Sequence, residues 1–169
     1  MLLSGLSHRQ QPAEADCLVA CVAMVLDYLA VPVNYPRLRR LLGTSEAGTP
    51  FHHVDRLRAQ GFFVARGQGD IETLWSHLTT GLPVIVALRT DDLAYWIMRS
   101  DIRDEEKATD HAVVVVGLDE QAVYVDDPDF EQAPQMIELD EFLLAWLERD
   151  YEYVVIGLEE FAEGVGAER

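Results

Sequence analysis

The sequence predicts an α+β fold in which two lobes share one cleft. Helical patterns dominate the first half of the chain, and β-branched runs typical of buried strands dominate the second half. With 169 residues and 49% hydrophobic content, the chain is long and apolar enough to bury the core of one domain. We therefore expect a single domain over residues 1–158, with a helical lobe at about 10–80, a β lobe at about 82–158 and an acidic flexible tail at 159–169.

The helical half opens with a long apolar segment. Nearly every residue of 17–30 is apolar, Asp27 is the only interior charge, and Asp16 stands before the segment as an N-cap candidate. This pattern predicts a central buried helix. Three shorter helices are predicted at 36–42, 49–60 and 71–80, each followed by a glycine, and a short strand at 62–65.

The second half has the composition of buried strands. Four β-branched runs predict them: "LPVIVAL", "HAVVVVGL", "AVYVD" and "YEYVVIGL". One further helix, at 140–149, is predicted before the last strand. Helices that precede strands along the chain are typical of α+β proteins.

The charge of the chain excludes some functions. Its 30 acidic and 13 basic residues give a formal charge of −17, which disfavours nucleic acid and anionic membrane surfaces as partners. No apolar run reaches the roughly 18–20 residues that span a bilayer, and the first six residues lack the basic leader of an export signal. We expect a cytoplasmic protein without membrane insertion.

Cys17 is the first candidate for chemistry. A thiol in the first turn of a helix lies at the positive end of the helix dipole, which favours the thiolate. On this feature alone, a small core residue is the commoner explanation, so a general base is needed. Cys21 lies one turn deeper, where core packing is favoured over a redox-resolving role. Two cysteines at this spacing suit neither a structural disulfide nor a zinc site, and no metal or organic cofactor is implied.

His111 is the histidine best placed to act as the base. It opens the strand "HAVVVVGL", whereas the other four histidines suit surface or local structural roles. If this strand pairs with "AVYVD" around a three-residue loop at 118–120, with Gly117 opposite Gln121, then His111 faces Asp127 directly. Directly opposed side chains lie within hydrogen-bonding reach. The competing interpretation is that Asp127 merely belongs to a turn that ends the strand.

An oxyanion donor completes the predicted site. The side-chain amide of Gln11 could act beside the backbone N–H of Cys17. Gln10 is its rival, and spacing alone does not separate the two. A thiol, an imidazole and a carboxylate together predict a nucleophilic hydrolase.

These residues resemble a known family. The pattern Gln11-x5-Cys17 within "QPAEADCLVACVAMVLDYL", followed by "HAVVVVGL" and "DDP", is similar to the bacteriocin-processing cysteine peptidases that cut double-glycine leader peptides, which are papain-like. The similarity extends through "LLGTSEAGTPFHHVDRLRAQGF" and "GLPVIVAL" and covers most of residues 10–158. Leu18 stands where family members commonly have glycine, which predicts a more crowded nucleophile.

The resemblance implies a papain-like fold, with a helical N-terminal lobe packed on an antiparallel β-sheet lobe. It implies Cys17 as nucleophile, His111 as base, Asp127 as orienting acid and Gln11 as oxyanion donor. The implied activity is cleavage of a peptide or protein substrate after small residues in a leader peptide, through an acyl-enzyme. Family members are usually domains of an exporter; here we expect a stand-alone domain that associates with a separate exporter or biosynthetic complex. Two alternatives are acyl transfer by the same triad and peptide binding without turnover.

Overall fold

An antiparallel sheet forms the centre of the molecule in the computed structural model, which describes residues 1–99 and 110–159. Its six strands lie side by side in the order β1-β6-β2-β3-β4-β5, so β3 is an interior strand. In chain order the strands are β1 (Phe62–Gln68), β2 (Val84–Arg89), β3 (Asp110–Leu118), β4 (Ala122–Asp126), β5 (Gln135–Glu138) and β6 (Glu152–Leu158).

Helices cover both faces of this sheet. In chain order they are α1 (Cys17–Tyr28), α2 (Tyr35–Leu41), a 3₁₀ helix (Phe51–Gln60), α3 (Ile71–Thr79), α4 (Ala94–Ile97) and α5 (Leu139–Leu147). The helices α1 and α2 and the 3₁₀ helix pack on one face, and α3 and α5 pack on the other. The α+β class is confirmed.

Alternation along β3 divides the core between the two faces. Ala112, Val114 and Val116 pack toward α1, whereas Val113 and Val115 pack toward α3 and α5. Burial of each valine contributes about 1.5–3 kcal/mol. An unbroken valine run suits a strand that is covered on both sides, and it fixes the position of His111 at the start of β3.

The first helix begins at Cys17 without the cap that the sequence predicts. Asp16 occupies the N-cap position, but its carboxylate makes no capping hydrogen bond. It accepts instead from Tyr35 Oη at 3.1 Å and from Arg39 Nε at 3.0 Å, and it is 2% exposed. The predicted capping role is wrong: Asp16 links α1 to α2. The helix ends at Tyr28, and Ala30 takes a left-handed conformation with φ of 59°.

Several other boundaries differ from the predictions. The segment 49–60 forms a 3₁₀ helix that begins at Phe51, and β1 extends beyond 65 to Gln68. The short elements α4 and β5 were not predicted. Strand β1, which precedes the expected lobe boundary near 81, pairs with β6 in the same sheet, and α3 packs against that sheet. Residues on both sides of the expected boundary therefore form the central sheet and its covering helices. Of the predicted acidic tail, residues 160–169 lie outside the described residues.

The predicted register between β3 and β4 is also wrong. Val125 lies opposite Val115 instead of Val113. The cause is twofold: Asp119 Oδ1 accepts from the N–H groups of Gln121 and Ala122, which moves the turn to 119–121, and a bulge interrupts the pairing between Val115 and Gly117. His111 and Asp127 are therefore not directly opposite each other.

Candidate active site

Cys17 lies at the end of α1 that reaches the protein surface. It is the first residue of α1 and partly exposed, whereas the nine residues from Leu18 to Leu26 are buried. Because α1 packs against β3, the thiol meets the start of that strand. His111 acts on the thiol there, since it is among the groups that lower the pKa of Cys17, and Cys17 is among those that raise the pKa of His111.

His111 and Asp127 form a close pair despite the shifted register. His111 Nε2 lies 2.6 Å from Asp127 Oδ1. The shift from the predicted register amounts to two residues at this end of the ladder, which keeps both side chains on one face as diagonal neighbours. An ionised carboxylate only accepts, so Nε2 is the donor and Nδ1 is the nitrogen left for Cys17.

The His111–Asp127 pair favours the charged forms of the side chains in the site. Burial alone would lower the pKa of His111, but the charge and hydrogen bond of Asp127, together with Cys17, raise it from 6.5 to about 10. Burial alone would raise the pKa of the Cys17 thiol, yet His111 and backbone hydrogen bonds with Ala112 and Leu18 hold it below its ordinary value of 9.0. Burial likewise opposes ionisation of Asp127, and His111 outweighs that effect, so the pKa of the carboxyl group is lowered. The three groups together stabilise a thiolate beside an imidazolium.

Gln11 lies in the loop that leads to Cys17. Its Nε2 donates to the backbone oxygens of Ala13 at 2.9 Å and Glu14 at 3.0 Å, and its buried Oε1 has no hydrogen-bond partner within residues 1–99 and 110–159. Gln10, its rival, is exposed. Both hydrogens of the Gln11 amide thus hold the loop, and its role as oxyanion donor stays a prediction.

The N-terminal segment is fastened to the segment that carries Asp127. The backbone N–H of Gln11 donates to Pro128 O at 2.7 Å. The ring of His8 bonds Phe130 O through Nε2 at 2.7 Å, and its Nδ1 lies 3.6 Å from Asp126 Oδ2. His8, for which the sequence indicated no special role, therefore helps to keep the Gln11 loop beside the carboxylate.

Two neighbours of Cys17 lie in the core. The Leu18 side chain is 2% exposed and packs inward, so it does not crowd the thiol from the solvent side. Cys21 is fully buried and donates through Sγ to Ala112 O at 3.4 Å. Burial raises the pKa of the Cys21 thiol well above its ordinary value, which leaves Cys17 as the more reactive of the two sulfur atoms.

Aromatic residues of α4 were missed as parts of this site. Tyr95 Oη and Trp96 Nε1 both donate to Asp127 Oδ2, at 2.7 and 2.9 Å. The Trp96 ring also stands edge-on to His111, with the centroids 4.9 Å apart. The only signal in the sequence was an aromatic pair shortly after a buried strand, which by itself indicates core packing as readily as a site.

Other kinds of site find little support in the described part of the chain. Within residues 1–99 and 110–159, no three His, Cys, Asp or Glu side chains are grouped so that they could hold a metal ion. In the same ranges, no helix has the length and apolarity needed to cross a bilayer. Two surface cavities, both lined by Asp119 and Glu120, lie at the end of β3 opposite to His111.

Comparison with known families identifies the class of protein. A model of the peptidase C39 family matches residues 6–149. The fold and this match define a cysteine peptidase, a hydrolase. More narrowly, the chain belongs to the peptidase C39 family, so the resemblance seen in the sequence is confirmed. A comparison with curated proteins gave no match.

Solved structures of similar fold agree. A C39-like peptidase from Bacillus anthracis is 18% identical, with a TM-score of 0.74 over 92% of this chain and 96% of that chain. The peptidase domain of Streptococcus ComA, a bifunctional ABC transporter involved in quorum sensing, is 20% identical, with a TM-score of 0.70 over 91% and 99%. A double-glycine-motif protease from an AMS/PCAT transporter, in complex with its leader peptide, is 19% identical, with a TM-score of 0.66 over 92% and 94%. At these identities the likeness supports the fold alone.

Proposed function

We propose that this cysteine peptidase cleaves its substrate through a Cys17-His111-Asp127 triad and a covalent acyl-enzyme. The observation that carries the proposal is the His111–Asp127 pair, 2.6 Å apart, which acts on the partly exposed Cys17 thiol because His111 lowers its pKa. The lowered pKa of Cys17 and the raised pKa of His111 both favour a thiolate–imidazolium pair.

The chemistry has two stages. The Cys17 thiolate attacks the scissile carbonyl carbon, and imidazolium N–H of His111 then gives its proton to the leaving amine as the C–N bond breaks. In the second stage, neutral His111 takes a proton from water, the resulting nucleophile attacks the thioester, and the thiolate leaves. Asp127 remains ionised throughout and stabilises the imidazolium whenever it forms.

The negative oxygen of each tetrahedral intermediate needs donors. The backbone N–H of Cys17 is among the first of α1, a position with no partner inside the helix, and Asp16 leaves this turn without a side-chain cap. Gln11 is the second donor in this proposal. In that role, one Nε2 hydrogen turns from a carbonyl of Ala13 or Glu14 toward the substrate oxygen.

For the substrate we propose a leader peptide that ends in small residues. The support is family membership and the fold shared with a double-glycine-motif protease in complex with its leader peptide. The formal charge of −17 favours basic over acidic peptides, although salt screens exposed charges beyond about 8–10 Å. Association with a separate exporter is proposed by analogy with the transporter that carries the ComA domain.

The test compares the protein with Cys17→Ala on peptides in which Gly-Gly precedes the scissile bond. We expect cleavage after Gly-Gly by the wild type and none by Cys17→Ala, while both bind the peptide with similar affinity. Full cleavage by Cys17→Ala would overturn the triad. Added amine acceptors separate hydrolysis from acyl transfer, since conjugated product in place of free acid would replace the hydrolase proposal by a transferase.

A further inference from the structure

The carboxylate of Asp127 is held from both of its oxygens. Oδ1 accepts from His111 Nε2 at 2.6 Å and from the backbone N–H of Asp129 at 2.9 Å. Oδ2 accepts from Tyr95 Oη at 2.7 Å and from Trp96 Nε1 at 2.9 Å. A carboxylate offers about four lone-pair sites, so these four donors occupy them all.

The two donors to Oδ2 come from one short helix. Tyr95 and Trp96 are neighbours in α4, which begins directly after Leu93. Leu93 has no exposed surface and belongs to the core on the face of the sheet that α5 covers. In the described part of the chain, no hydrogen bond or ring contact joins either donor to Cys17. Both instead reach the oxygen that His111 does not use.

A cluster around Phe130 fastens α4 to the segment after Asp127. The rings of Tyr95 and Trp96 lie 5.0 and 5.5 Å from the ring of Phe130. The Arg99 guanidinium lies 4.7 Å from the centroid of Phe130, and Arg99 also forms an ion pair with Asp129. Helix α4 and the segment 127–130 therefore hold each other in place on both sides of the carboxylate.

Trp96 also contacts the imidazole. Its ring stands edge-on to His111 at an interplanar angle of 70° with 4.9 Å between the centroids. His111 is 6% exposed and Asp127 is 0% exposed. The hydrogen bond between them is thus kept away from water, where it is stronger and where an unpaired carboxylate oxygen is costly.

We propose that Tyr95 and Trp96 are positioning residues that hold the Asp127 carboxylate against the His111 imidazole and so align the base for the reaction at Cys17. They act through Asp127 and, in the case of Trp96, also through the edge-on contact with the His111 ring, and neither is assigned a contact with the substrate. This inference rests on the proposed triad and extends it to a helix for which the sequence indicated no chemistry. Among the residues that the structure describes, loss of either donor leaves Oδ2 with one hydrogen-bond partner, and loss of both leaves it with none.

The test uses Tyr95→Phe, Trp96→Phe and the double variant, each of which removes an N–H or O–H group and keeps an aromatic ring. The substrate is a fluorogenic peptide amide ending in Gly-Gly. We expect kcat to fall about tenfold in each single variant and about 100-fold in the double variant, because each substitution removes a hydrogen bond to a charged group. KM should change less than about twofold, since neither side chain is assigned to substrate binding.

The pH profile separates positioning from simple support of the fold. The donors favour the charged form of Asp127, and the hydrogen bond from Tyr95 is among the causes that lower its pKa. Without them the carboxylate is free to turn away from His111, which weakens the interaction that raises the pKa of the imidazole, so the alkaline limb of the kcat/KM profile should move downward. Tyr124→Phe is the matched control, because Tyr124 Oη donates to Asp119 Oδ2 at 2.9 Å in the same kind of bond at the other end of β4.

The outcomes are distinct. If the double variant is folded by circular dichroism and keeps wild-type kcat and pH profile while Cys17→Ala is inactive, the positioning inference is wrong and the triad stands. If Cys17→Ala cleaves normally, the proposed function itself fails. If Tyr124→Phe loses as much kcat as Tyr95→Phe, then the loss does not depend on a hydrogen bond to Asp127. That result would also overturn the inference.

Discussion

His111 Nε2 and Asp127 Oδ1 lie 2.6 Å apart although their strands do not pair them directly. The contact is diagonal across the β3–β4 ladder, and α4 supports it from the far side of the carboxylate. A base held in this way keeps one tautomer and one orientation, which is what a general acid–base residue requires. The same contact explains why a buried imidazole keeps its proton.

The first prediction concerns the charge of Asp127. Asp127→Asn keeps the shape of the side chain and removes its charge, so burial, which favours the neutral ring, should lower the pKa of His111 from about 10. The alkaline limb of the kcat/KM profile should follow it downward. We expect kcat at neutral pH to fall about 100-fold or more. An unchanged alkaline limb would contradict the assignment of that limb to His111.

The second prediction concerns the Cys17 thiol without its partner. In His111→Ala, burial acts on the thiol with less opposition, so its pKa should rise above 9.0. Alkylation by iodoacetamide at pH 7 should slow at least about tenfold, because one pKa unit changes the thiolate fraction by a factor of ten. His52→Ala is the control, since His52 is exposed. Equal rates in the wild type and His111→Ala would count against the ion pair.

Stability should depend on pH through the same histidine. The pKa of His111 is raised from 6.5 to about 10, so its contribution to the free energy of unfolding is fully present below about pH 6.5 and lost as pH rises through about 10. His111→Gln should remove most of this dependence. The measurement is urea unfolding of both proteins at pH 6 and pH 10, and parallel pH dependence in the two would contradict the prediction.

The two glutamines before Cys17 should behave differently. Gln11→Ala loses the amide that holds Ala13 and Glu14 and that is proposed to stabilise the oxyanion, so kcat should fall about 100-fold. Gln10→Ala alters an exposed side chain and should leave kcat within about twofold. Steady-state cleavage of the same Gly-Gly peptide measures both. A larger loss in Gln10→Ala would assign the donor to the other residue.

Asp16 should act as a link between helices and not as a cap. Serine is a good N-cap but too short to bind Arg39. Asp16→Ser should therefore lower the free energy of unfolding by about 2 kcal/mol, and Asp16→Ala should lower it by a similar amount. Asp70, which forms a capping box with Thr73, supplies the contrast, because Asp70→Ser should keep most of its stability. Chemical denaturation measures all three. Full stability of Asp16→Ser would restore the capping role.

Much of the fold could be predicted because the patterns that determine it lie within short stretches of the sequence. The apolar run of α1 and the valine run of β3 are buried on nearly all sides, so composition alone indicates them. The class and the positions of Cys17 and His111 at element starts were predictable for that reason. Helix α4 and strand β5 have four residues each, too few for a periodic pattern to appear.

The parts of the site that were not predictable depend on non-local geometry. The β3–β4 register required knowledge of a bulge and of the Asp119 turn, neither of which hydrophobic alternation indicates. Asp127 was predicted from a register that proved wrong. Because the error was two residues, the Asp127 side chain still lies on the same face of the sheet as His111. The donors to its second oxygen come from a helix about 30 residues earlier in the chain, a contact that only the folded structure brings about.

The most direct test of the central claim is covalent capture of the nucleophile. A peptide ending in Gly-Gly and carrying a C-terminal chloromethyl ketone is incubated with the protein at neutral pH, and the modified residue is identified by peptide mapping. We expect a single adduct on Cys17, formed much more slowly in His111→Ala and Asp127→Asn and absent in Cys17→Ala. Rapid labelling of Cys21, or labelling of Cys17 that is indifferent to His111 and Asp127, would contradict it.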